Sequence, residues 1–121
     1  MRRTKIKQLA TEANRNLVLS YILKHGPLKG KGLGLWATIC RLSKKKGYCW
    51  MAQENLAEEI DAYRQSVNRL LSKFEAEGWV LKRGRSGYRT CRLFPCCPQR
   101  VWQRAKRWEA EILAESGSKQ H

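Results

Sequence analysis

The stretch from Gln53 to Val80, QENLAEEIDAYRQSVNRLLSKFEAEGWV, constrains this chain more than any other. Leu56, Ala57 and Ile60 fall on one face of a short helix, and Val67, Leu70, Leu71 and Phe74 on one face of a second. Both sets keep the spacing of three and four residues that gathers apolar side chains into one helical stripe. Asp61-Ala62-Tyr63 separates the two helices and is long enough only for a sharp turn. Gly78 stops the second helix, because glycine takes the left-handed conformation of a helix end at little cost.

The same reasoning places elements on either side. Ile6, Leu9, Ala13, Leu17 and Tyr21, widened by Val18 and Ile22, predict a first helix within residues 6–25. Lys24-His25-Gly26-Pro27 closes it, and Asn14 or Asn16 could cap a fresh start inside it. Leu28 to Gly34, LKGKGLG, reads as a flexible basic connection. It lacks the G-x-x-x-x-G-K-[ST] order of a phosphate-cradling loop, and no strand of buried residues precedes it. Leu35, Trp36, Ile39, Cys40 and Leu42 predict the next helix, ending near the run Lys44-Lys45-Lys46-Gly47. Tyr48 to Met51 favours a brief strand. After Gly78 the period becomes extended: Trp79–Leu81 and Tyr88–Phe94 predict two strands, joined by the KRGRSG loop of residues 82–87. Pro95 and Pro98 are expected to end the pairing. A last helix begins at Pro98 or Gln99 and runs to about Glu115, with Val101, Ala105, Trp108 and Ile112 on one face. The tail SGSKQH is disordered by composition.

The net charge of +15 is unevenly placed. Residues 1–47 carry twelve Lys and Arg against one acid, and residues 82–107 carry nine against none. Residues 48–81 carry three against six, so the paired helices are locally acidic. Two basic blocks flanking such a unit predict a surface that grips phosphates on both sides of a reading element. No apolar run approaches the ~20 residues a membrane span needs, so no membrane role is expected. MRRTKIKQ is basic but leads into no apolar secretory segment.

Cys40, Cys49, Cys91, Cys96 and Cys97 form an odd set without a signal peptide, which suits a reducing cytosol. No C-x2-C pair occurs and His25 and His121 are the only histidines, so neither a metal site nor a cofactor is expected. Cys40, Cys49 and Cys91 read as small buried hydrophobes, and Cys96-Cys97 as adjacent exposed thiols open to oxidation. Glu54, Glu58, Glu59 and Asp61 lie on a solvent-facing helix surface, and no Ser-His-Asp or Cys-His set has a recognisable context. No enzyme is expected.

From Leu35 to Phe94 the predicted order is helix, strand, helix, turn, helix and hairpin. LWATICRLSKKKGYCW leading into MAQENLAEEIDAYRQSVNRLLSKFEAEGWV resembles the winged helix-turn-helix domains of bacterial, phage and plasmid regulators and replication proteins. The shared marks are an apolar helix, a short aromatic segment, then Leu-Ala, a turn, Val, paired Leu and Gly-Trp. Asp61 stands where such turns often have Gly, and Tyr63 where Ser or Thr usually caps the second helix. The resemblance implies a mainly α fold with a small β-hairpin wing (α+β), a winged helix-turn-helix with extra N- and C-terminal helices. It divides the chain into a basic arm, helix and linker (1–34), a DNA-binding domain (35–95) and a C-terminal helix and tail (96–121). Double-stranded DNA is the implied partner and the cytoplasm of a bacterium, or of a phage or plasmid host, the implied location. A small transcriptional regulator is the leading role. A replication initiator or accessory factor, and a winged helix that binds RNA or protein, are the alternatives.

In such domains the second helix, here residues 64–77, enters the major groove with its first residues at base edges. Arg64, Gln65, Asn68 and Arg69 are then the base-reading candidates, since Arg can pair with guanine and Gln or Asn with adenine through two bonds each. Gln53, Tyr63, Ser66 and Lys73 are candidates for backbone phosphates. The wing offers Lys82, Arg83, Arg85 and Arg89, with Arg85 nearest its tip. A merely solvated helix face would show the same residue types one by one; the set of four is the stronger signal. The first and last helices keep apolar stripes that either pack on each other within one chain or pair across a two-fold axis as a homodimer.

Overall fold

The computed structural model describes residues 5–84 and 92–119. Arg85, Arg89 and Cys91, the first half of the predicted strand from Tyr88, most of the basic arm and the last two residues lie outside them. In order, the elements are β1 (Ile6–Gln8), α1 (Glu12–His25), α2 (Gly30–Leu42), β2 (Cys49–Trp50), α3 (Gln53–Glu59), α4 (Arg64–Glu77), β3 (Val80–Arg83), β4 (Arg92–Pro98) and α5 (Gln99–Lys119). From α2 onward this is the winged helix-turn-helix order, with α1 and α5 outside it.

β4 is the middle strand, and all three of its partners run antiparallel to it. β2 and β3 both pair with residues 92–93, so they occupy opposite edges, and β1 continues the β2 edge against residues 96–98. The expectation that Pro95 and Pro98 end the pairing is therefore wrong. A residue's N–H and C=O point to one edge and alternate along the strand. Pro95 faces the junction between β2 and β1, where only its carbonyl is used, accepting from the Leu9 amide at 3.0 Å. Pro98 faces the β3 edge beyond Val80, the first β3 residue. Neither missing donor breaks a ladder bond.

The first helix is shorter than its apolar spacing suggests. Ile6 to Gln8 form a strand, and the helix starts at Thr11, whose hydroxyl accepts from the Asn14 amide at 3.2 Å. Neither Asn14 nor Asn16 restarts it. Arg15, Val18, Tyr21 and Ile22 face the core, while Ala13 is exposed. Buried Arg15 donates from Nη1 to the carbonyls of Leu9 (3.1 Å) and Ala10 (3.2 Å), fixing the crossing from β1 into α1. Gly26 (φ 73°) and Gly78 (φ 91°) close α1 and α4 in the left-handed region, as their positions predicted. Asp61 has φ 52°, so aspartate fills the turn where glycine is common.

The glycine-rich segment is not a linker: α2 begins at Gly30 and runs through it. A methyl group at Gly32 would lie 3.8 Å from Leu70 Cδ2, and one at Gly34 would lie 3.9 Å from Ile60 Cγ2, both ordinary contact distances. Gly30, by contrast, has φ +57°. Gly32→Ala and Gly34→Ala should each raise stability by about 0.5–1 kcal/mol, because alanine is the better helix former. Gly30→Ala should lower it by about 1–2 kcal/mol, the cost of a Cβ in the left-handed region. Urea unfolding of the three single variants reads both signs.

One core joins these parts. Leu35, Trp36 and Ile39 of α2, Leu56 of α3, Val67 and Phe74 of α4, Val80 of β3 and Leu93 of β4 are all essentially inaccessible. Val18 and Ile22 of α1 and Val101 and Ala105 of α5 belong to the same cluster. α1 and α5 pack on each other in the one chain, with the Trp108 ring edge-on to Tyr21 and His25 at centroid distances of 5.9 and 5.6 Å. α5 extends past Glu115 to Lys119, through residues whose composition suggested disorder.

The cysteines correct another expectation. Cys96 and Cys97 are fully buried rather than exposed, and as strand neighbours they point to opposite faces. Burial pushes the thiols up, to about 12 for Cys40 and Cys97 and about 11 for Cys96. A thiol in the unfolded chain ionises at about 8.5. The folded state therefore holds protons that the unfolded state releases, so this stability is whole below about pH 8.5 and is lost as pH rises toward the folded values. In a Cys91→Ser background, a thiol-reactive disulfide at pH 8 should label these positions only as fast as the chain opens. Urea midpoints should fall steadily between pH 8.5 and 10.5, and do so less in a Cys97→Ala variant.

Candidate nucleic-acid interface

α4 is held from within. Val67, Leu71 and Phe74 are buried, and Leu70 is half-buried beneath Gly32 of α2. With that side inward, Gln65, Asn68 and Arg69 project outward and are exposed, three and four residues apart on adjoining rows of the helix. Ser66 sits half-buried at the edge of this face, and Lys73 is exposed one turn further on, 4.0 Å from Glu77.

Arg64 differs from its neighbours. Its Nε lies 3.6 Å from Glu54 Oε1 in the first turn of α3. This ion pair is half-exposed and contributes little to stability, but it gives the guanidinium a resting position beside α3. Tyr63 precedes the helix in extended conformation, makes no capping hydrogen bond and is 81% exposed. A Ser or Thr here would occupy an amide of the first turn; tyrosine leaves the helix start unobstructed. Gln53 opens α3 and is half-buried, and Ala52 before it offers no capping side chain.

The turn between α3 and α4 is clamped by a residue that sequence reasoning assigned to a linker. Lys31 of α2 donates from Nζ to the carbonyls of Ile60 and Asp61, both at 2.7 Å. These carbonyls lie at the C-terminal end of α3, where positive charge is favoured. Arg41 of α2 adds an ion pair to Glu59 at 2.8 Å. The spacing of Lys31 gave no signal, because the interaction spans about thirty residues and depends on α2 starting early.

Lys82 and Arg83 are exposed, but they belong to β3 rather than to the loop. Arg85 and Arg89, the predicted wing residues at and beyond the tip, lie outside the described residues. Among the described residues no group of three or more His, Cys, Asp and Glu is arranged to hold a metal ion, and no helix is long and apolar enough to cross a membrane.

The family comparison agrees with this architecture. Residues 35–93 match the family model of the Crp-like helix-turn-helix domain. The chain carries a winged helix-turn-helix domain, with α2 as its first helix, α3 and α4 as the helix pair, and β3–β4 as the stem of its wing. Over 58 residues, 48% of this chain, it is 29% identical to Protein YmfN of Escherichia coli strain K12, of whose length it spans 13%. Among solved structures it is similar to a MarR transcriptional regulator from Methanosarcina mazei Go1, with 20% identity over 86% of this chain and 73% of that one and a TM-score of 0.40. It is also similar to the MarR family protein Rv2887 of Mycobacterium tuberculosis in its complex with salicylic acid, with 21% identity over 85% and 76% of the two chains and a TM-score of 0.39.

Proposed function

We propose that this chain is a sequence-specific double-stranded DNA-binding protein acting as a small transcriptional regulator, a binding protein and not an enzyme. The observation that carries this reading is the division of α4: three buried anchors on one side, an open row of Gln65, Asn68 and Arg69 on the other. In this reading α4 lies in the major groove. Arg64, Gln65, Asn68 and Arg69 meet base edges, and Gln53, Tyr63, Ser66 and Lys73 meet phosphates. Lys82, Arg83, Arg85 and Arg89 hold the backbone or the minor groove beside it. The local acidity of residues 48–81 supports this split, since attraction must come from the basic blocks and α4 is left to discriminate.

A second copy is proposed to pair through α1 and α5. A groove between them is lined by Leu17, Trp108, Ile112 and Leu113, and Leu113 is 66% exposed. Two copies would set two α4 helices about one DNA turn apart, ~34–36 Å, on a palindromic site.

Duplex titrations at two salt concentrations test the assignment. Arg83→Gln with Arg85→Gln should weaken binding to matched and scrambled duplexes alike and lower the salt slope by about 1.8, or 0.9 for each phosphate no longer neutralised. Sedimentation of the matched complex should read two 14.1 kDa chains per duplex. An unchanged slope would remove the wing from the interface, and one chain per duplex would remove the dimer.

A further inference from the structure

The wing sheet has an outward face that, Arg83 apart, the proposed duplex contacts do not use. Residues directly opposite each other in an antiparallel sheet send their side chains to the same face. The register sets Trp50 opposite Arg92, and Arg92 opposite Arg83. One row across β2, β4 and β3 therefore carries an indole and two guanidinium groups. On the same face, one step along, lies Phe94, whose ring tilts against Tyr48 at 5.4 Å between centroids. The other face of these strands, with Cys49, Leu93 and Val80, is core.

Trp50 is 57% exposed, while Trp36 and Trp79 are buried and Trp102 and Trp108 are largely covered. Core packing does not account for an indole in this position. Its surroundings are cationic: the Arg92 guanidinium lies 5.9 Å from the Trp50 ring centroid and 5.2 Å from that of Tyr48, and the Lys46 ammonium lies 5.9 Å from Trp50. Lys46, Trp50, Met51, Ala52 and Asn55 line a shallow hollow with no acid among them. Among the described residues, Lys46, Arg83 and Arg92 take part in no ion pair. An exposed indole with two unneutralised cations over its ring fits a polyanion with exposed planar rings. Duplex DNA keeps its bases stacked on one another, so the matching ligand is an unpaired strand. The hollow also adjoins the proposed duplex surface: Asn55 lines it, and Glu54, the preceding residue, holds Arg64 at the start of α4.

We propose that the face formed by Trp50, Arg92 and Lys46 binds single-stranded DNA, with one unpaired base stacked on the Trp50 indole and the cations on the flanking phosphates. This rests on the reading of the chain as a DNA-binding protein and gives it a second, single-strand site at the edge of the duplex site.

Tryptophan fluorescence of the full chain, titrated with a short oligothymidylate and separately with duplex DNA, tests it. The oligothymidylate should quench emission. Trp50→Ala should weaken its binding about tenfold and leave duplex affinity within about twofold. Trp50→Phe should recover part of the loss, and Arg92→Gln should lower the single-strand salt slope by about 0.7. Unchanged oligothymidylate affinity in Trp50→Ala overturns the proposal, as does an equal loss for single strand and duplex. Duplex binding without single-strand binding overturns this site and leaves the proposed function standing. Single-strand binding through Trp50 without duplex binding does the reverse.

Discussion

Trp36→Ala is expected to cost about 3–5 kcal/mol of stability, among the largest losses of any single change in this chain. Trp36 is fully buried, and its indole edge meets Trp79 at a centroid distance of 5.9 Å. Its Nε1 donates to two carbonyls at once, Trp79 at 3.0 Å and Cys96 at 3.1 Å. Those two residues are joined by the Cys96 amide, which donates to the Trp79 carbonyl at 2.9 Å just before β3 begins. The indole thus ties α2 to the point where α4 hands over to the wing. Trp36→Phe separates the contributions: it keeps most of the apolar volume, removes the donor, and should cost about 2–3 kcal/mol because the Cys96 carbonyl loses its indole partner in a dry core. Urea unfolding gives both values. Leu23→Ala, at an exposed position, should stay within about 0.5 kcal/mol of the parent. A Trp36→Phe variant as stable as the parent would show that the two bonds contribute nothing net.

The helix pair was legible in the sequence because its signals are local. Leu56, Val67, Leu71 and Phe74 carry their own periodicity, and Gly78 and Asp61 supply backbone conformations that few residues tolerate. What sequence reasoning missed depends on partners far along the chain. Ile6 and Leu9 fit a helical stripe as well as a strand, and β1 exists because β4 offers it an edge about ninety residues away. Glycine's poor helix propensity argued against Gly32 and Gly34 in α2; packing beside Leu70 and Ile60 decided otherwise. The prolines of β4 misled for the same reason, since a missing donor matters only on an edge where a partner strand needs it.

The candidate site divides the same way. Gln65, Asn68 and Arg69 could be read as an exposed row from helical spacing alone. Three other features could not: Lys31 reaching the turn, Glu54 holding Arg64, and Trp50 sharing a row with Arg92 and Arg83. Each requires knowing which elements lie side by side, and no propensity or motif encodes that. Two hints were nonetheless present. Trp50 falls in a two-residue strand whose neighbour Cys49 is buried, so alternation alone turns the indole outward. Glu54 and Arg64 carry opposite charges at the starts of helices joined by a tight turn, which brings those starts within reach of each other.

Gln65→Ala combined with Asn68→Ala is expected to abolish most discrimination between matched and scrambled DNA, at about 1–3 kcal/mol for each base left without its bidentate partner. Affinity for scrambled DNA should stay near that of the parent, and the salt slope should not move, because neither residue carries charge to release counterions. This is the opposite signature to the wing variant, which lowers the slope and leaves discrimination intact. Arg64 belongs to neither pattern. To reach a base edge its guanidinium must leave Glu54, 3.6 Å away, so part of any gain at the base is offset by the ion pair given up. Both partners are about half-exposed, which keeps that offset small. Arg64→Ala should therefore reduce discrimination by less than a full bidentate pairing. Competition titrations against a selected oligonucleotide pool resolve these cases. Equal losses for every sequence in the Gln65 and Asn68 double variant would mean that α4 lies along the backbone, and base reading would then have to come from the wing.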